Sequence, residues 1–199
     1  MATGLGSSGV DSARSTQNQV DQGVETASVM LIVAKSPSAV AEEYLTDVDL
    51  NIVKGDAEET LAAGDSTRLV TSITFQLKAD AKPYDLSGID IDYSDSTQTF
   101  ELNDPNAGFT VSSDGTTVST GQVSFNYLVG TPFGSTGSGA SNSPSIKEGD
   151  LVEVTINVSG LGRRLATNTS FQIGLKSQKG QPLTIEGRTP NQLQNENDL

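Results

Sequence analysis

Two periodicities divide this chain. From Val10 to Leu31, apolar residues recur at alternating spacings of three and four: Val10, Ala13, Gln17, Val20, Val24, Ala27 and Leu31, with Gln17 the one polar member. The positions between them are mostly Ser, Thr, Asn, Gln, Asp and Arg. A stripe of two residues in seven is the narrow seam of a helix that packs against other helices; a helix on a globular core carries a wider apolar face. The spacing predicts an N-terminal amphipathic α-helix over 10–29 whose seam drives polymerisation. Residues 1–9 form an uncharged Gly/Ser run. Each Gly in a helix costs about 1 kcal/mol relative to Ala, so this run reads as a linker or an expression scar outside the fold.

From about residue 30 the period becomes two. The run Val29 to Ala34 is rich in β-branched residues and predicts a first strand, stopped by Lys35-Ser36-Pro37. Val48, Leu50 and Ile52 alternate with polar neighbours, as do Thr71, Ile73, Phe75 and Leu77, and then Ile89, Ile91 and Tyr93. Thr99 to Leu102 reads as a returning strand, and Asp114-Gly115 marks a hairpin. Val123, Phe125, Tyr127 and Val129 form another inward face, followed by Val152, Val154, Ile156 and Val158, by Phe171, Ile173 and Leu175, and by a short strand at Leu183 to Glu186. The stretch from Lys54 to Arg68 reads as a charged loop with a helical turn at Ala57 to Ala63, and 191–199 as a loose polar tail. About nine or ten short strands separated by turns predict a mainly β domain, an antiparallel β-sandwich over 30–190.

Composition narrows the chemistry. Twelve basic against 25 acidic residues leave a net charge of −13, which disfavours nucleic acid as a partner. Cys, His and Trp are absent. That removes disulfides, thiolate metal sites, catalytic triads and the usual general base near neutral pH. Carboxylate pairs remain available in principle, but no pair is singled out among 25 acids, and no enzyme is expected. No apolar run approaches the roughly 20 residues of a membrane-spanning helix.

Two patterns carry candidate sites. Asp90-x-Asp92-x-Ser94 with Glu101 matches the first, third, fifth and twelfth positions of a calcium loop. Its sixth position, which needs Gly, is Asp95, and its flanks read as strands, so the plainer reading is the wet face of an edge strand. Asn157-Val158-Ser159 and Asn168-Thr169-Ser170 are acceptor sequons. Alternation turns Val154, Ile156 and Val158 inward and leaves Asn157 facing out.

A resemblance covers most of the chain. Ile146-Lys147-Glu148-Gly149-Asp150 leading into Leu151 to Ser159, then Thr167 to Ile173, Gly180 to Glu186 and Thr189-Pro190, resembles the archaellins, the filament subunits of the archaeal flagellum. In that family a Gly-Asp pair opens a strand ending in Ile-Asn, and a Gly-x-Pro turn, an acidic strand and Thr-Pro follow. The segment from Phe75 through Pro83-Tyr84-Asp85-Leu86-Ser87 to Asp95 is similar as well, as is the polar end of the seam from Ser15 to Val24.

The resemblance implies an immunoglobulin-like sandwich as the outer domain of a structural subunit. It also implies a hydrophobic N-terminal helix, held in the membrane before assembly and bundled in the filament core afterwards. Here the Gly/Ser run stands in place of that helix's apolar half, which reads as an engineered soluble version. The implied partners are further copies of the chain in a helical homopolymer and other archaellum subunits, at the cell surface and outside the cell. Archaellins are commonly glycosylated, which makes Asn157 and Asn168 the candidate acceptors. Some hold a metal before the Gly-Asp strand; of such a set only Asp150 is present. No cofactor is required, and a structural divalent cation at Asp90, Asp92 or Asp150 is the one candidate. A pilin-like or stator-associated adhesion module on a similar sandwich is the alternative reading.

Overall fold

The computed structural model describes residues 30–80, 82–86, 88–103, 109–132, 144–161, 164–177 and 181–199. The helix expected over 10–29 lies outside them. Along the chain run β1 (Met30–Leu45), β2 (Leu50–Lys54), β3 (Ala57–Leu61), β4 (Ser66–Asp80), β5 (Tyr84–Asp85), β6 (Asp90–Asp95), β7 (Thr99–Glu101) and β8 (Thr110–Val111). After these come β9 (Thr117–Thr120), β10 (Val123–Val129), β11 (Ser145–Ile146), β12 (Leu151–Asn157), β13 (Ser170–Lys176), β14 (Leu183–Arg188) and β15 (Glu196–Asp198).

Seven strands form one sheet in the order β15-β1-β4-β12-β10-β9-β8, and four form another in the order β14-β13-β6-β7. Both are antiparallel throughout. Alternation explains how they face each other. Ile73, Phe75 and Leu77 on β4 lie in register with Ile156, Val154 and Val152 on β12. All six are at most 1% exposed. From the smaller sheet Ile91, Tyr93, Phe171, Ile173 and Leu175 enter the same apolar cluster. The Tyr93 and Phe171 rings stack with centroids 6.4 Å apart. Each such side chain contributes roughly 1.5–3 kcal/mol by leaving water, so this shared core is what holds the two sheets together.

Four departures from the sequence expectation concern how whole segments pair. First, Leu31, placed on the helical seam, is on β1 opposite Ala79 and 4% exposed. Strand pairing takes over because β4 supplies a ladder partner from Asp80 onward. Second, Lys35-Ser36-Pro37 does not end β1. Register shifts at Val33/Lys35 and Lys35/Ser38 absorb the extra residues. Such bulges are where a strand can hold a Pro, which cannot donate to the ladder.

Third, residues 57–61 are strand, not helix. Lys54 pairs with Ala57, leaving Gly55-Asp56 as a two-residue turn, with Gly55 at φ 61°. That conformation suits Gly and matches the tight turns that fit strand twist. Fourth, the tail is pinned. Asn197 is 7% exposed; its amide donates to Gln194 O (2.8 Å) and Ala39 O (3.3 Å), and its Oδ1 accepts from Gln194 N (2.8 Å). Glu196 to Asp198 pair with Val40 to Ser38, and Leu199 N donates to Pro37 O (3.0 Å). An otherwise open edge of β1 supplies the partners that make the polar tail a strand.

Candidate functional site

The seam positions Val10, Ala13, Gln17, Val20, Val24 and Ala27 lie outside the described residues. The remaining candidates can be placed.

Asp90 and Asp92 are on β6, facing outward between buried Ile91 and Tyr93. Asp90 is opposite Lys176, and Asp92 stands between Gly174 on one side and Glu101 on the other. The Asp92 carboxylate lies over Gly174, with Oδ2 2.5 Å from where a β-carbon would sit. Asp95, the residue in the position that a calcium loop gives to Gly, closes the turn to β7 instead. Its Oδ1 accepts from Thr97 N (2.9 Å), Thr97 Oγ1 (2.6 Å) and Gln98 N (3.1 Å).

Asp150 belongs to the other sheet. It is 8% exposed and follows Gly149, whose φ of 87° makes the turn before β12. Its Oδ2 accepts from Lys147 N (2.8 Å), and its own N donates to Lys147 O (3.0 Å). The rest of the carboxyl group packs where Gly130 lacks a side chain. Nearby Tyr127 donates its hydroxyl to Ser145 O (3.0 Å); burial, and secondly the Asp150 charge, push its pKa well above the ordinary value. Asp90 and Asp92 therefore share one strand, while Asp150 closes a turn of the opposite sheet. Among the described residues, no three acidic side chains are grouped so that they could hold a metal.

The two sequons sit in different corners. Asn157 ends β12 and is exposed. Its Oδ1 accepts from Ser159 Oγ (2.7 Å) and Gly160 N (3.1 Å), which folds the sequon into a tight turn with the amide nitrogen turned away from those bonds. Asn168 is half-buried, at φ 60°, with its N–H directed at Thr189 O (3.1 Å) and Pro190 O (3.2 Å). Its neighbour Thr169 is fully buried and donates to Val53 O (3.0 Å). Thr189 Oγ1 donates to Ala166 O (2.6 Å) and accepts from Thr169 N (2.8 Å). The Thr-Asn-Thr and Thr-Pro pieces of the resemblance are thus one threonine knot tying the start of β13, the end of β14 and the β2–β3 hairpin.

Sequence reasoning missed one surface. Leu45 and Val48, at the far end of β1, are 71% and 63% exposed, although alternation assigned Val48 to a buried face. Strand β2 begins only at Leu50, two residues after the alternating pattern starts, so Val48 precedes the strand. Arg164 was also missed. Its guanidinium lies 4.3 Å from the centre of the Tyr44 ring and donates to the Tyr44 hydroxyl (2.9 Å).

No protein-family model matches the chain, and no curated protein matches it. Solved structures do. The archaeal flagellum of Methanospirillum hungatei strain JF1 matches with a TM-score of 0.54 at 11% identity, over 96% of this chain and 84% of that one. The archaeal flagellin FlaB1 from Methanocaldococcus jannaschii matches with a TM-score of 0.50 at 12% identity, over 84% of this chain and 94% of that one. At such identity the likeness is one of fold, and the fold of this chain is that of archaeal flagellin subunits.

Proposed function

We propose that this chain is a structural subunit of the archaeal motility filament. It polymerises through the helix at 10–29 and presents an immunoglobulin-like sandwich at the outer surface, outside the cell. The observation that carries this reading is the shared fold with two archaeal flagellin structures over 84% and 96% of the chain. The sequence motifs support it independently. The Gly149-Asp150 pair opens β12, and Thr169 and Thr189 form one buried knot. The partners are further copies of the same chain and the other archaellum components. No catalysis belongs to this reading.

The surface also suits modification. Asn157 is the better acceptor of the two sequons, because its side chain is exposed and its Oδ1 is held by the sequon's own Ser159 hydroxyl. Deleting the gene in its host and imaging the cells by electron microscopy tests the main reading. Loss of the filament and of swimming, restored by the intact gene, is the expected result. Filaments of unchanged diameter in the deletion strain overturn it.

A further inference from the structure

The two ends of the β1–β4 ribbon carry different charge. Sixteen residues of β1 at about 3.3 Å each separate them by about 50 Å. At one end lie residues 43–50 and 61–66, with Glu43, Asp47, Asp49 and Asp65 against the guanidinium of Arg164, which lies over the Tyr44 ring. Arg68, opposite Glu43, is directed to Asn195. In the middle of these acids stand Leu45 and Val48, the two most exposed large apolar residues described. The loop bearing them is already set: Thr46 Oγ1 accepts from Val48 N (3.2 Å), and Asp49 Oδ1 accepts from Ala63 N (3.1 Å). A pre-shaped loop loses little freedom on docking, and an apolar pair ringed by charges has the form of an interaction hot spot.

The opposite end holds Lys35, Lys78, Lys82, Lys147 and Lys176, together with Met30, 43% exposed. Asp80, Asp85, Asp90 and Glu148 offset those lysines, so that end is near neutral while the far end keeps its negative charge. On the outer face Met30 and Ile32 stand beside Asp80 and Lys78 of β4, an apolar step with a lysine at its rim.

We infer that Leu45 and Val48 of one copy dock against Met30 and Ile32 of the next, with Asp47 and Asp49 facing Lys78, in a head-to-tail contact between outer domains. This rests on the filament reading above. Tip-to-tip docking would bring together two ends that stay net negative even with Arg68 and Arg164 counted, so like charge opposes the symmetric alternative. A head-to-tail contact joins two different patches and therefore propagates as an open helix instead of closing into a dimer. The net charge of −13 on every copy still repels at long range, but that repulsion is screened beyond about 10 Å at 0.1 M salt, while the close end contact is not.

The absence of cysteine makes the test clean. Filaments isolated from a host strain whose gene carries both Val48→Cys and Met30→Cys, oxidised with copper-phenanthroline, should give a ladder of covalent oligomers on a denaturing gel. Each single variant should stay monomeric. Lys78→Glu in the double-cysteine background should cut the ladder about tenfold or more, as loss of a close charge pair does, and adding Asp47→Lys should restore it. Assembled filaments without a ladder, or Val48→Cys alone linking to itself, overturn the contact and leave the filament reading standing. Host filaments that contain none of this protein overturn the filament reading itself, and this contact with it.

Discussion

The carboxyl group of Asp150 fills the space that a side chain on Gly130 would need. The two residues lie on neighbouring strands of the large sheet, at the loop ends of β10 and β12, and each restricts the other. Gly130 is at φ 94°, and Asp150 Oδ2 accepts from Lys147 N (2.8 Å). Asp150→Ala should cost about 1–3 kcal/mol by removing the acceptor of that partly buried N–H and the packing against Gly130. Gly130→Ala should cost about 1–3 kcal/mol or more, since it adds backbone strain to the displaced carboxylate. Urea unfolding of the two variants checks both. If calcium raised the melting temperature of the parent and not of Asp150→Ala, Asp150 would be a metal ligand after all.

Alkaline pH should destabilise the fold through Tyr84 and Tyr127. Burial, named first in both cases, raises their pKa above the ordinary 10.0; the Asp150 charge adds to it for Tyr127, and the hydrogen bond from Ser177 opposes it for Tyr84. The folded chain therefore keeps protons that the unfolded chain releases. Stability is full below about pH 10 and falls as pH rises past it toward the folded values. Denaturation midpoints measured from pH 8 to pH 11.5, a range set around the ordinary tyrosine value of about 10, should decline at the upper end. Tyr127→Phe should flatten that decline, and an unchanged slope in the variant would exclude Tyr127 as its source.

Asn168 holds a left-handed conformation, φ 60°. Asn and Gly tolerate it, and other residues pay about 1–2 kcal/mol. Asn168→Ala should therefore lower stability by about that amount, with Asn168→Gly close to the parent. Equal losses in thermal unfolding for both variants would place the importance of Asn168 in its side chain.

Peptide mapping of protein from its own host separates the sequons. We expect glycan on Asn157, and an unmodified Asn168, whose following Thr169 is buried in the threonine knot. Occupancy confined to Asn168 would reverse the assignment.

Removing residues 195–199 should uncover the edge of β1. Asn197, Glu196 and Leu199 now satisfy backbone groups from Pro37 to Val40, and an open strand edge invites pairing with another chain. Light scattering should show association beyond that of the intact chain, and Asn197→Ala should lose about 1–3 kcal/mol. A truncated chain that associates no more than the intact one would mean that the edge is protected by something else.

Much of the fold was legible because period two is a local property. Val152, Val154, Ile156 and Val158 read as one inward face and are all fully buried; Phe171, Ile173 and Leu175 likewise. The Asp114-Gly115 hairpin and its left-handed Gly115 (φ 71°) were equally local. Where alternation met a bulge it misled. Alternation predicts Val129 as inward, yet it is 53% exposed, because the register slips between Tyr127 and Val129. The Gly55-Asp56 turn signal was present but hidden among charges that suggested a loop.

By itself, then, the sequence determined the antiparallel β class, the inner faces of the two sheets and the absence of thiol and imidazole chemistry. These follow from residue types and from spacing along one strand. Tertiary structure alone decided that Asp150 closes a turn against Gly130, that the polar tail becomes a strand on β1, and that exposed Leu45 and Val48 stand at the end of the β1–β4 ribbon far from Met30. Each of those depends on which distant segments lie side by side. Strand pairing between residues as far apart as Ser38 and Asp198 is set by the shared core and the ladder, and no local pattern encodes it.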